Sequence, residues 1–560
     1  MEHLVFLGAV CLFIIVMTLL GARSGRMARA RFKEKMRSSF GELPDHAYDR
    51  DRSLHIPKYF EKHRPDVCID DITWHDLDMD AVFRRVNYCR SAAGEEVLYH
   101  VLRTPGETDP ARLEAQAAFF AREEAVRTDA QVLFEGMKQT TKYAVYDHLD
   151  MLGERRGNLR HIVMLVLLVL AILLTVISFQ PFFLMLIAIL AFNVMTYYRE
   201  KGELNAYLET FSYVLRLVTG AEELEKHLSD RRFEGLFDAE CEAIRLHTRA
   251  MRSFRKGSYL VMTPAISTGN PLDVIFDYFR VLTHLDLIKF NSMMGQLHAH
   301  REDVDRLVYL TGMAEVPLSV ACYRESVKDA YCRPRFTEGK VFSLTEAYHP
   351  LVEEPVTNTI ACEKNVLITG SNASGKSTFL KTAAICAILA ETIHTVPAKA
   401  YEAPHYRIFS SMALADDLGG GDSYYIVEIK SLKRILDATK EAGPRVLCFI
   451  DEVLRGTNTL ERIAASSQIL KQFARADVQC FAATHDGELT EILGDLYDNY
   501  HFDGEIVDDD VRFDYRIRPG NAKTRNAIRL LRMIGYDDAI VTEAEAMAER
   551  FLATGAWGLS

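Results

Sequence analysis

Residues 366–380 constrain the fold of this 560-residue chain more than any other segment. They read VLITGSNASGKSTFL, in which Gly370 is followed by four residues and then by Gly375, Lys376 and Ser377. An apolar run precedes the first glycine, and a stretch suited to a helix follows the serine. The pattern GxxxxGK[ST] between a strand and a helix predicts a loop whose backbone N–H groups bind phosphate oxygens.

The polar residues of this loop are suited to binding a nucleoside triphosphate with its metal ion. Lys376 can reach the β- and γ-phosphates, and the hydroxyl of Ser377 can bind Mg²⁺. Glycines permit the backbone geometry that turns successive N–H groups towards one anion. The residues predicted to bind the nucleotide are Gly370, Ser371, Asn372, Ala373, Ser374, Gly375, Lys376, Ser377 and Thr378.

A second segment supplies carboxylates. Residues 446–459 read VLCFIDEVLRGTNT, an apolar run that ends in Asp451 and Glu452. A buried strand here would deliver Asp451 to the Mg²⁺ site and place Glu452 where it polarises the attacking water. Lys376 and Glu452 are therefore predicted catalytic residues, and Ser377 and Asp451 are the predicted metal ligands.

Two further segments complete the pattern. The β-rich run FAATHD ends in His485 and Asp486, where an imidazole can sense the γ-phosphate or hold the attacking water. His485 is therefore the third predicted catalytic residue. Residues 415–423 read ADDLGGGDS and end in Ser423. Three consecutive glycines demand a flexible or tightly turned backbone. The segment lies between the two nucleotide motifs in the sequence.

The spacing of apolar residues distinguishes helical regions of the chain from a region of mixed helices and strands. Residues 72–155 and 199–330 carry apolar residues at helical spacing and predict helix bundles. From about residue 341, short β-rich runs at 365–369, 446–450 and 478–482 alternate with helical stretches. This alternation predicts a parallel sheet flanked by helices.

Three apolar runs indicate a membrane protein. Residues 4–20 are uncharged and are followed by a cluster of basic residues between Arg23 and Arg37. Residues 162–179 and 182–198 form a pair that is separated by Gln180 and Pro181 and flanked by further arginines. Positive flanks lie in the cytoplasm. We therefore expect three spans, the last two as a helical hairpin, in the cell membrane with the nucleotide-binding region in the cytoplasm.

Composition excludes several other classes of protein. The net charge of −12 argues against a chain that coats nucleic acid indiscriminately. The ten cysteines contain no CxxC pair, which argues against a zinc ribbon, a thioredoxin-type site and a secreted disulfide framework. An ABC transporter is disfavoured because its LSGGQ signature is not matched and its transport region would need more than three spans.

The motifs resemble those of the MutS family, the DNA mismatch-recognition ATPases. GSNASGKSTFL resembles the family's GPNMGGKST loop, and FIDEVLRGTNT resembles DEIGRGTST. DDLGGGDSYYIVEI is similar to DDLASGRSTFMVEM, and ATHDGEL is similar to ATHYFEL. Further upstream, Ser91, Gly94, Leu98 and Leu102 match the start of the family's helical core. The resemblance covers most of residues 72–155 and nearly all of residues 340–550.

The resemblance implies an α/β P-loop ATPase domain and an all-α core and lever region, to which this chain adds transmembrane helices. It implies a homodimer that hydrolyses ATP with Mg²⁺ at two composite sites, with Ser423 contacting the nucleotide of the other subunit. Two features depart from the family. A predicted span and a basic linker precede the core-like segment in place of the mismatch-reading domain, and Val356 aligns near the aromatic residue that covers adenine.

These considerations divide the chain into six segments and leave two functions open. The segments are an anchor at 1–22, a basic linker at 23–71, core helices at 72–160, a membrane hairpin at 161–198, core and lever helices at 199–335, and the ATPase domain with dimerisation helices at 336–552. The first function is a dimeric ATPase that couples ATP to binding of mismatched or branched DNA. The alternative is a membrane-tethered switch that binds a protein partner without recognising mismatches.

Overall fold

The computed structural model describes residues 23–24, 26–137, 146, 157–233, 235–262, 278–328, 330–371, 374–412, 424–455, 457–507, 510–521 and 527–554. The chain forms two compact units. The first comprises residues 1–63, 87–100 and 114–322, and the second comprises residues 64–86, 101–113 and 323–560.

The helices are α1 (Arg50–His55), α2 (Lys58–Lys62), α3 (Asp71–Asp76), α4 (Met79–Val86), α5 (Ala92–Arg103), α6 (Pro110–Arg122), α7 (Glu124–Gly136), α8 (Leu159–Ile177), α9 (Phe179–Leu228), α10 (Asp238–Ala250), α11 (Arg252–Arg255), α12 (Tyr259–Met262), α13 (Leu285–Ala299), α14 (Arg301–Ser326), α15 (Lys376–Thr392), α16 (Tyr424–Ala438), α17 (Thr459–Arg475), α18 (Glu488–Ile492), α19 (Ala527–Ile534) and α20 (Asp538–Thr554). A short 3₁₀ turn lies at Arg231–Phe233, and residues 26–38 and 278–283 are also helical.

The first unit contains the predicted hairpin, α8 and α9. A single residue, Ser178, separates the two helices, so the turn lies two residues before the predicted Gln180–Pro181 turn. Pro181 instead occupies the first turn of α9, where its missing N–H would have no helical partner anyway. Helix α9 then continues for 50 residues without a break, about 75 Å at 1.5 Å per residue.

Both helices of the hairpin are long and apolar enough to cross a membrane. The candidate spans are Leu159–Ile177 and Phe179–Gly202, with 22 % and 11 % of their most apolar windows buried. Both helices qualify by length and composition only, and the membrane hairpin stays a prediction. The predicted first span, residues 4–20, lies outside the described residues.

Elsewhere in the first unit, α5 and α14 approach closely at two glycines. A Cβ at Gly94 would lie 2.0 Å from Oε2 of Glu315, and a Cβ at Gly312 would lie 2.5 Å from the carbonyl oxygen of Ala93. The buried carboxylate of Glu315 accepts hydrogen bonds from the backbone N–H of Arg90 at 2.5 Å and from the hydroxyl of Ser91. Gly94 of the family-like segment therefore leaves room for a buried carboxylate.

The second unit contains two sheets. The strands are β1 (Arg335–Phe336), β2 (Phe342–Ala347), β3 (Asn358–Cys362), β4 (Asn365–Gly370), β5 (Ala400–Ala403), β6 (Tyr406–Ser411), β7 (Arg445–Asp451), β8 (Val478–Ala483), β9 (Tyr497–Val507) and β10 (Asp510–Pro519). One sheet has the order β1-β5-β2-β3 and the other β10-β9-β4-β8-β7-β6.

The larger sheet confirms the prediction of a mixed α/β region with a parallel sheet. Strands β9, β4, β8, β7 and β6 are mutually parallel, and β10 pairs antiparallel with β9. The three predicted strands are β4, β7 and β8, and they are adjacent. Their side chains are almost entirely buried, as expected of a parallel sheet covered on both faces.

Candidate functional site

The predicted site residues meet at the carboxyl edge of the larger sheet. Strands β4, β7 and β8 end at Gly370, Asp451 and Ala483, and each strand is followed by one of the sequence motifs. Because parallel strands present their carboxyl ends at one edge, the loop after β4, the acidic pair and His485 are brought together. Ligands bind in crevices at such edges in open α/β sheets.

Two glycines shape the loop after β4. Gly370 has φ +142°, and a Cβ there would lie 2.7 Å from the backbone oxygen of Phe502. Gly375 has φ +108° and caps the N-terminus of α15. Both conformations suit glycine, so the sequence folds here into a turn that directs the positive end of α15 towards the crevice.

Lys376 closes this loop on itself. Its Nζ donates to the backbone oxygens of Gly370 at 2.8 Å and Ser371 at 2.9 Å. Burial lowers the pKa of Lys376, while the nearby carboxylates of Asp451 and Glu452 oppose that effect. The ammonium group is thus held by carbonyl dipoles inside the loop, where a phosphate oxygen would be a stronger partner.

Ser377 and Asp451 form the predicted metal-binding pair. The hydroxyl of Ser377 donates to Oδ2 of Asp451 at 2.6 Å. The other carboxylate oxygen, Oδ1, is buried and has no hydrogen-bond partner among the described residues, and the same holds for Oγ of Ser374. Hard oxygen atoms with spare lone pairs suit Mg²⁺, which takes few protein ligands and keeps several waters. The residues present therefore fit this ion.

Glu452 is held in a left-handed conformation next to β8. It has φ +56°, and its N–H donates to the backbone oxygen of Ala483 at 3.0 Å. Its Oε1 lies 2.6 Å from Nε2 of His485. Hydrogen bonding to His485 is the main reason that the pKa of Glu452 lies below its ordinary value. The site therefore holds Glu452 as a carboxylate beside His485, and its predicted role in polarising the attacking water stays a prediction.

Two residues that sequence reasoning did not select also shape the site. Nε of Arg455 lies 2.5 Å from Oε2 of Glu452, and its guanidinium lies 3.6 Å from Oδ2 of Asp451. Glu428 of α16 is buried and accepts from the backbone N–H groups of Leu454 and Arg455. Arg455 follows Asp451 by four residues, and this short spacing could have indicated a contact with the acidic pair. The sequence around Glu428 gives no such indication.

The loop that carries His485 has its own support. Arg462 of α17 donates to both carboxylate oxygens of Asp486, at 2.8 and 2.6 Å. The N–H of Asp486 donates in turn to the hydroxyl of Thr484 at 3.0 Å. A bidentate arginine–carboxylate pair fixes orientation as well as position. These contacts therefore fix the loop that carries the imidazole of His485.

A cavity of about 220 Å³ adjoins the glycine loop. Gly375, Thr378, Val356 and Tyr515 are among its lining residues. Tyr515 lies in a bulge of β10, with φ +55° and 46 % of its surface exposed. The side chain of Asn358 holds this bulge in place. Its Nδ2 donates to the backbone oxygen of Tyr515 at 3.0 Å, and its Oδ1 accepts from the backbone N–H of Ile517 at 2.8 Å. An aromatic ring thus reaches the cavity from a strand that the sequence prediction did not consider.

Asn372, Ala373 and Ser423 lie outside the described residues. Helix α16 begins at Tyr424, directly after Ser423. The other predicted residues, including Thr378 at the cavity, are gathered around the edge of the larger sheet. Their chemical roles stay predictions.

Comparison with protein families finds a match within the second unit. Residues 366–552 match the family model for MutS domain V. This range begins in β4 and ends in α20, so it includes the glycine loop, the acidic pair and His485.

Individual relatives agree with this match. The chain is 31 % identical over 277 residues to the DNA mismatch repair protein MutS of Natronomonas pharaonis, covering 47 % of this chain and 31 % of that protein. It is 30 % identical over 287 residues to MutS of Lactobacillus delbrueckii, covering 49 % and 33 %. For MutS of Thermus thermophilus, the identity is 32 % over 240 residues, covering 42 % and 29 %. The chain spans about a third of the length of these curated relatives.

Proposed function

We propose that this chain, which belongs to the MutS family, is an ATPase anchored in a membrane. The observation that carries the proposal is the convergence of Lys376, the Ser377–Asp451 pair and the Glu452–His485 pair at one edge of a parallel sheet. These are the groups that phosphoryl transfer to water needs: a cation for the phosphates, a metal site and a carboxylate for the nucleophile.

Each group has a defined task in this proposal. The loop N–H groups and Lys376 bind the phosphates of ATP, so Lys376 exchanges its two carbonyl partners for phosphate oxygens. Ser377 and Asp451 would hold Mg²⁺, which supplies charge neutralisation at the phosphates when bound. Glu452 orients the attacking water and accepts its proton, and His485 holds the Glu452 carboxylate in place.

The cavity next to Gly375 is suited to the adenine base. Val356 offers no aromatic face there, whereas Tyr515 is half-exposed and lines the same cavity. A base has an extended π-face that stacks well on an aromatic ring. In this proposal the ring of Tyr515 stacks on the adenine base, and Val356 does not.

Membrane anchoring is supported by the surface of the hairpin. Val176, Ile177 and Leu184 near the turn are 81, 79 and 73 % exposed, and large apolar side chains cover much of both helices. Apolar surface of this extent is matched by lipid. The basic residues Arg160 and Arg199 lie at the other end of the hairpin, and positive flanks favour the cytoplasmic side of a membrane. In this proposal that end and the ATPase lie in the cytoplasm.

We further propose that the protein acts as a homodimer. Ser423 follows three glycines and precedes α16, and in this proposal it contacts the ATP of the partner subunit. Ile534, Tyr536 and Ile540, in and between the C-terminal helices, are 75, 51 and 52 % exposed. Exposed apolar side chains on adjoining helices suit an interface with a second copy.

The ATP cycle is proposed to control binding of mismatched or branched DNA, as the names of the relatives suggest. The net charge of −12 favours the alternative, in which the helical unit binds a protein partner. ATP hydrolysis by the full chain in vesicles, with and without duplex, mismatched and four-way-junction DNA, tests both. Stimulation that weakens with salt supports the DNA function.

Two further measurements accompany this experiment, one for the ATP site and one for the membrane anchor. Lys376→Ala removes the motif cation and should abolish turnover, which separates the activity from contaminating ATPases. Extraction with carbonate tests the membrane assignment independently, because an integral hairpin stays in the pellet. Wild-type turnover in Lys376→Ala protein would contradict the proposed ATP site, and release by carbonate would contradict the anchor.

A further inference from the structure

Asn193 has an unusual position for an amide side chain. It lies within the second candidate span, nine residues before Gly202, and only 1 % of its surface is exposed. Its Nδ2 donates to the backbone oxygen of Leu282 at 2.9 Å, and its own backbone oxygen lies 2.9 Å from Nε2 of His284. Asn193 therefore binds a separate chain segment with both its side chain and its backbone.

That segment is a break between two helical stretches. Residues 278–283 are helical, His284 has φ +56°, and α13 starts immediately afterwards. His284 is completely buried, and its Nδ1 lies 3.1 Å from Nδ1 of His161 in α8. One ring nitrogen thus contacts each helix of the hairpin.

A second contact extends the same attachment. The hydroxyl of Tyr197 donates to Oδ2 of Asp286 at 2.7 Å, and Nζ of Lys201 donates to that hydroxyl oxygen at 3.0 Å. Both tyrosine and carboxylate are buried. Polar contacts therefore continue along α9 from Asn193 towards its basic flank, and they hold the start of α13 against the hairpin.

The position of Asn193 sets the depth of the segment. With the hairpin in a membrane and Arg199 at the headgroup level, Asn193 lies six residues deeper, which is about 9 Å along the helix axis. A non-helical backbone at such depth is tolerated only where protein groups satisfy its polar atoms. Asn193 supplies such a group for the backbone oxygen of Leu282. The backbone oxygen of Asn193 and the ring of His161 contact the two ring nitrogens of the buried His284, so the polar atoms at the break have partners on the hairpin.

The outer side of the same segment is aromatic. Tyr278 and Phe279 are 66 and 51 % exposed, and they precede Leu282 by about one helical turn. Tyr198 of α9 is 64 % exposed at the same end of the hairpin. Aromatic side chains with exposed faces are typical of the boundary between hydrocarbon and headgroups.

We propose that residues 278–284 form a membrane-interface segment, which binds the hairpin through Asn193 and inserts Tyr278 and Phe279 into the headgroup region of a phospholipid bilayer. The proposal rests on the hairpin spanning the membrane, and it adds a lipid-binding surface that the helical pattern alone does not assign. The partner is the bilayer interface; a soluble protein that covers the two rings is the competing outcome.

Quenching by brominated lipids tests the depth of the segment directly. Tryptophan is introduced as Phe279→Trp, as Leu170→Trp in the middle of α8, and as Leu246→Trp on α10. Each full-length variant is reconstituted into phosphatidylcholine vesicles whose acyl chains carry bromine either near the headgroup or near the bilayer centre. The quenching in excess of that of the parent protein is measured. Leu246 is 66 % exposed in the same unit and serves as the matched control for exposure.

The outcomes are distinct. We expect the tryptophan at position 279 to be quenched more by shallow than by deep bromine, that at 170 more by deep bromine, and that at 246 by neither. Quenching at 170 with none at 279 overturns this inference and leaves the membrane anchor intact, and protein binding to the rings would then be the remaining explanation. No quenching at 170 overturns the anchor and the interface segment together.

The role of Asn193 is tested in the Phe279→Trp background. Asn193→Leu removes the amide that donates to Leu282, and we expect loss of the excess shallow quenching at 279. Thr175→Val is the matched control, because the Thr175 hydroxyl donates to the backbone oxygen of Ala171 in the same helix, at 2.7 Å. Asn193→Leu combined with Leu170→Trp should keep its deep quenching. Unchanged quenching at 279 in Asn193→Leu protein would overturn the proposed attachment.

Discussion

The buried carboxylate of Glu428 accepts a hydrogen bond from the backbone N–H of Leu454, a residue with φ +61°. The same Oε1 accepts from the N–H of Arg455 at 3.4 Å. Glu428 lies on α16, which begins directly after Ser423, and Leu454 lies two residues after Glu452. One side chain thus connects the helix that follows the glycine-rich segment to the loop that carries the proposed catalytic carboxylate.

We expect Glu428 to position the loop from Glu452 to Arg455 rather than to bind ATP. Glu428→Ala leaves the buried N–H of Leu454 without its acceptor, at about 1–3 kcal/mol, and removes the longer contact with the N–H of Arg455. It should lower kcat at least tenfold with little change in KM for ATP. Glu428→Gln retains one acceptor oxygen and should recover part of the activity. A parallel loss of ATP affinity in Glu428→Ala protein would contradict a pure positioning role.

Leu454 shows strain that a substitution pair can measure. A left-handed conformation costs a non-glycine residue about 1–2 kcal/mol, yet the Leu454 side chain is buried in the core of the second unit. Leu454→Ala loses the packing and keeps the strain, whereas Leu454→Gly loses both. We therefore expect the glycine variant to be the more stable of the two by about 1 kcal/mol in urea unfolding.

The neighbouring residue provides the control for this comparison. Val453 is also buried, but it is not among the residues with positive φ. At position 453, alanine should therefore be more stable than glycine by about 0.5–1 kcal/mol, the ordinary order. The same order at position 454 would show that the conformation of Leu454 is not strained.

Much of the second unit could be predicted because its signals are local. The runs that became β4, β7 and β8 are apolar and short, and each ends at a motif, so strand identity and edge position follow from the sequence alone. The meeting of Lys376 with Asp451 and of Glu452 with His485 follows from parallel pairing.

The contacts that were not predicted depend on tertiary packing. Glu428 is one acidic residue on an amphipathic helix, and nothing nearby in sequence indicates that its carboxylate binds the loop after β7. Asn193 and His284 are 91 residues apart, and a lone asparagine in an apolar run is equally suited to pairing helices. The turn at Ser178 was misplaced because proline is accepted within the first turn of a helix as readily as in a loop.

Glu452→Gln should separate binding from hydrolysis. The amide keeps the size of the side chain but cannot accept the proton of the attacking water, while Ser377 and Asp451 are untouched. We expect the affinity for a fluorescent ATP analogue to change by less than about threefold and kcat to fall at least a hundredfold. Loss of binding would mean that Glu452 supports the phosphate site itself.

Ser423→Ala tests the composite site. Mixed with Lys376→Ala protein, it forms heterodimers in which both substitutions fall on one site and the other site is intact, provided that Ser423 serves the partner's ATP. Part of the activity should then return, although each variant alone is inactive. If subunit exchange is demonstrated and no activity returns, ATP binding at each site decides whether Ser423 acts within its own subunit or the two sites fail to act independently.

Glu315 predicts how the stability of the first unit depends on pH. Burial raises the pKa of Glu315 to about 8, although hydrogen bonds from Ser91 and the backbone of Arg90 favour the carboxylate form. Between its ordinary pKa of about 4.5 and 8, the folded chain therefore holds a proton that the unfolded chain has released. Stability should fall as pH rises through this window, by on the order of a few kcal/mol.

Substitution by glutamine isolates this contribution. Glu315→Gln keeps the shape beside Gly94 and cannot ionise, so its melting temperature should fall less between pH 5 and pH 8 than that of the parent protein in the same detergent. Glu302→Gln, an exposed position on the same helix α14, is the matched control and should retain the parent's pH dependence. Equal pH dependence in all three proteins would show that the pKa of Glu315 is the same in the folded and unfolded chains, so that this side chain is ionised between pH 5 and pH 8 in both states.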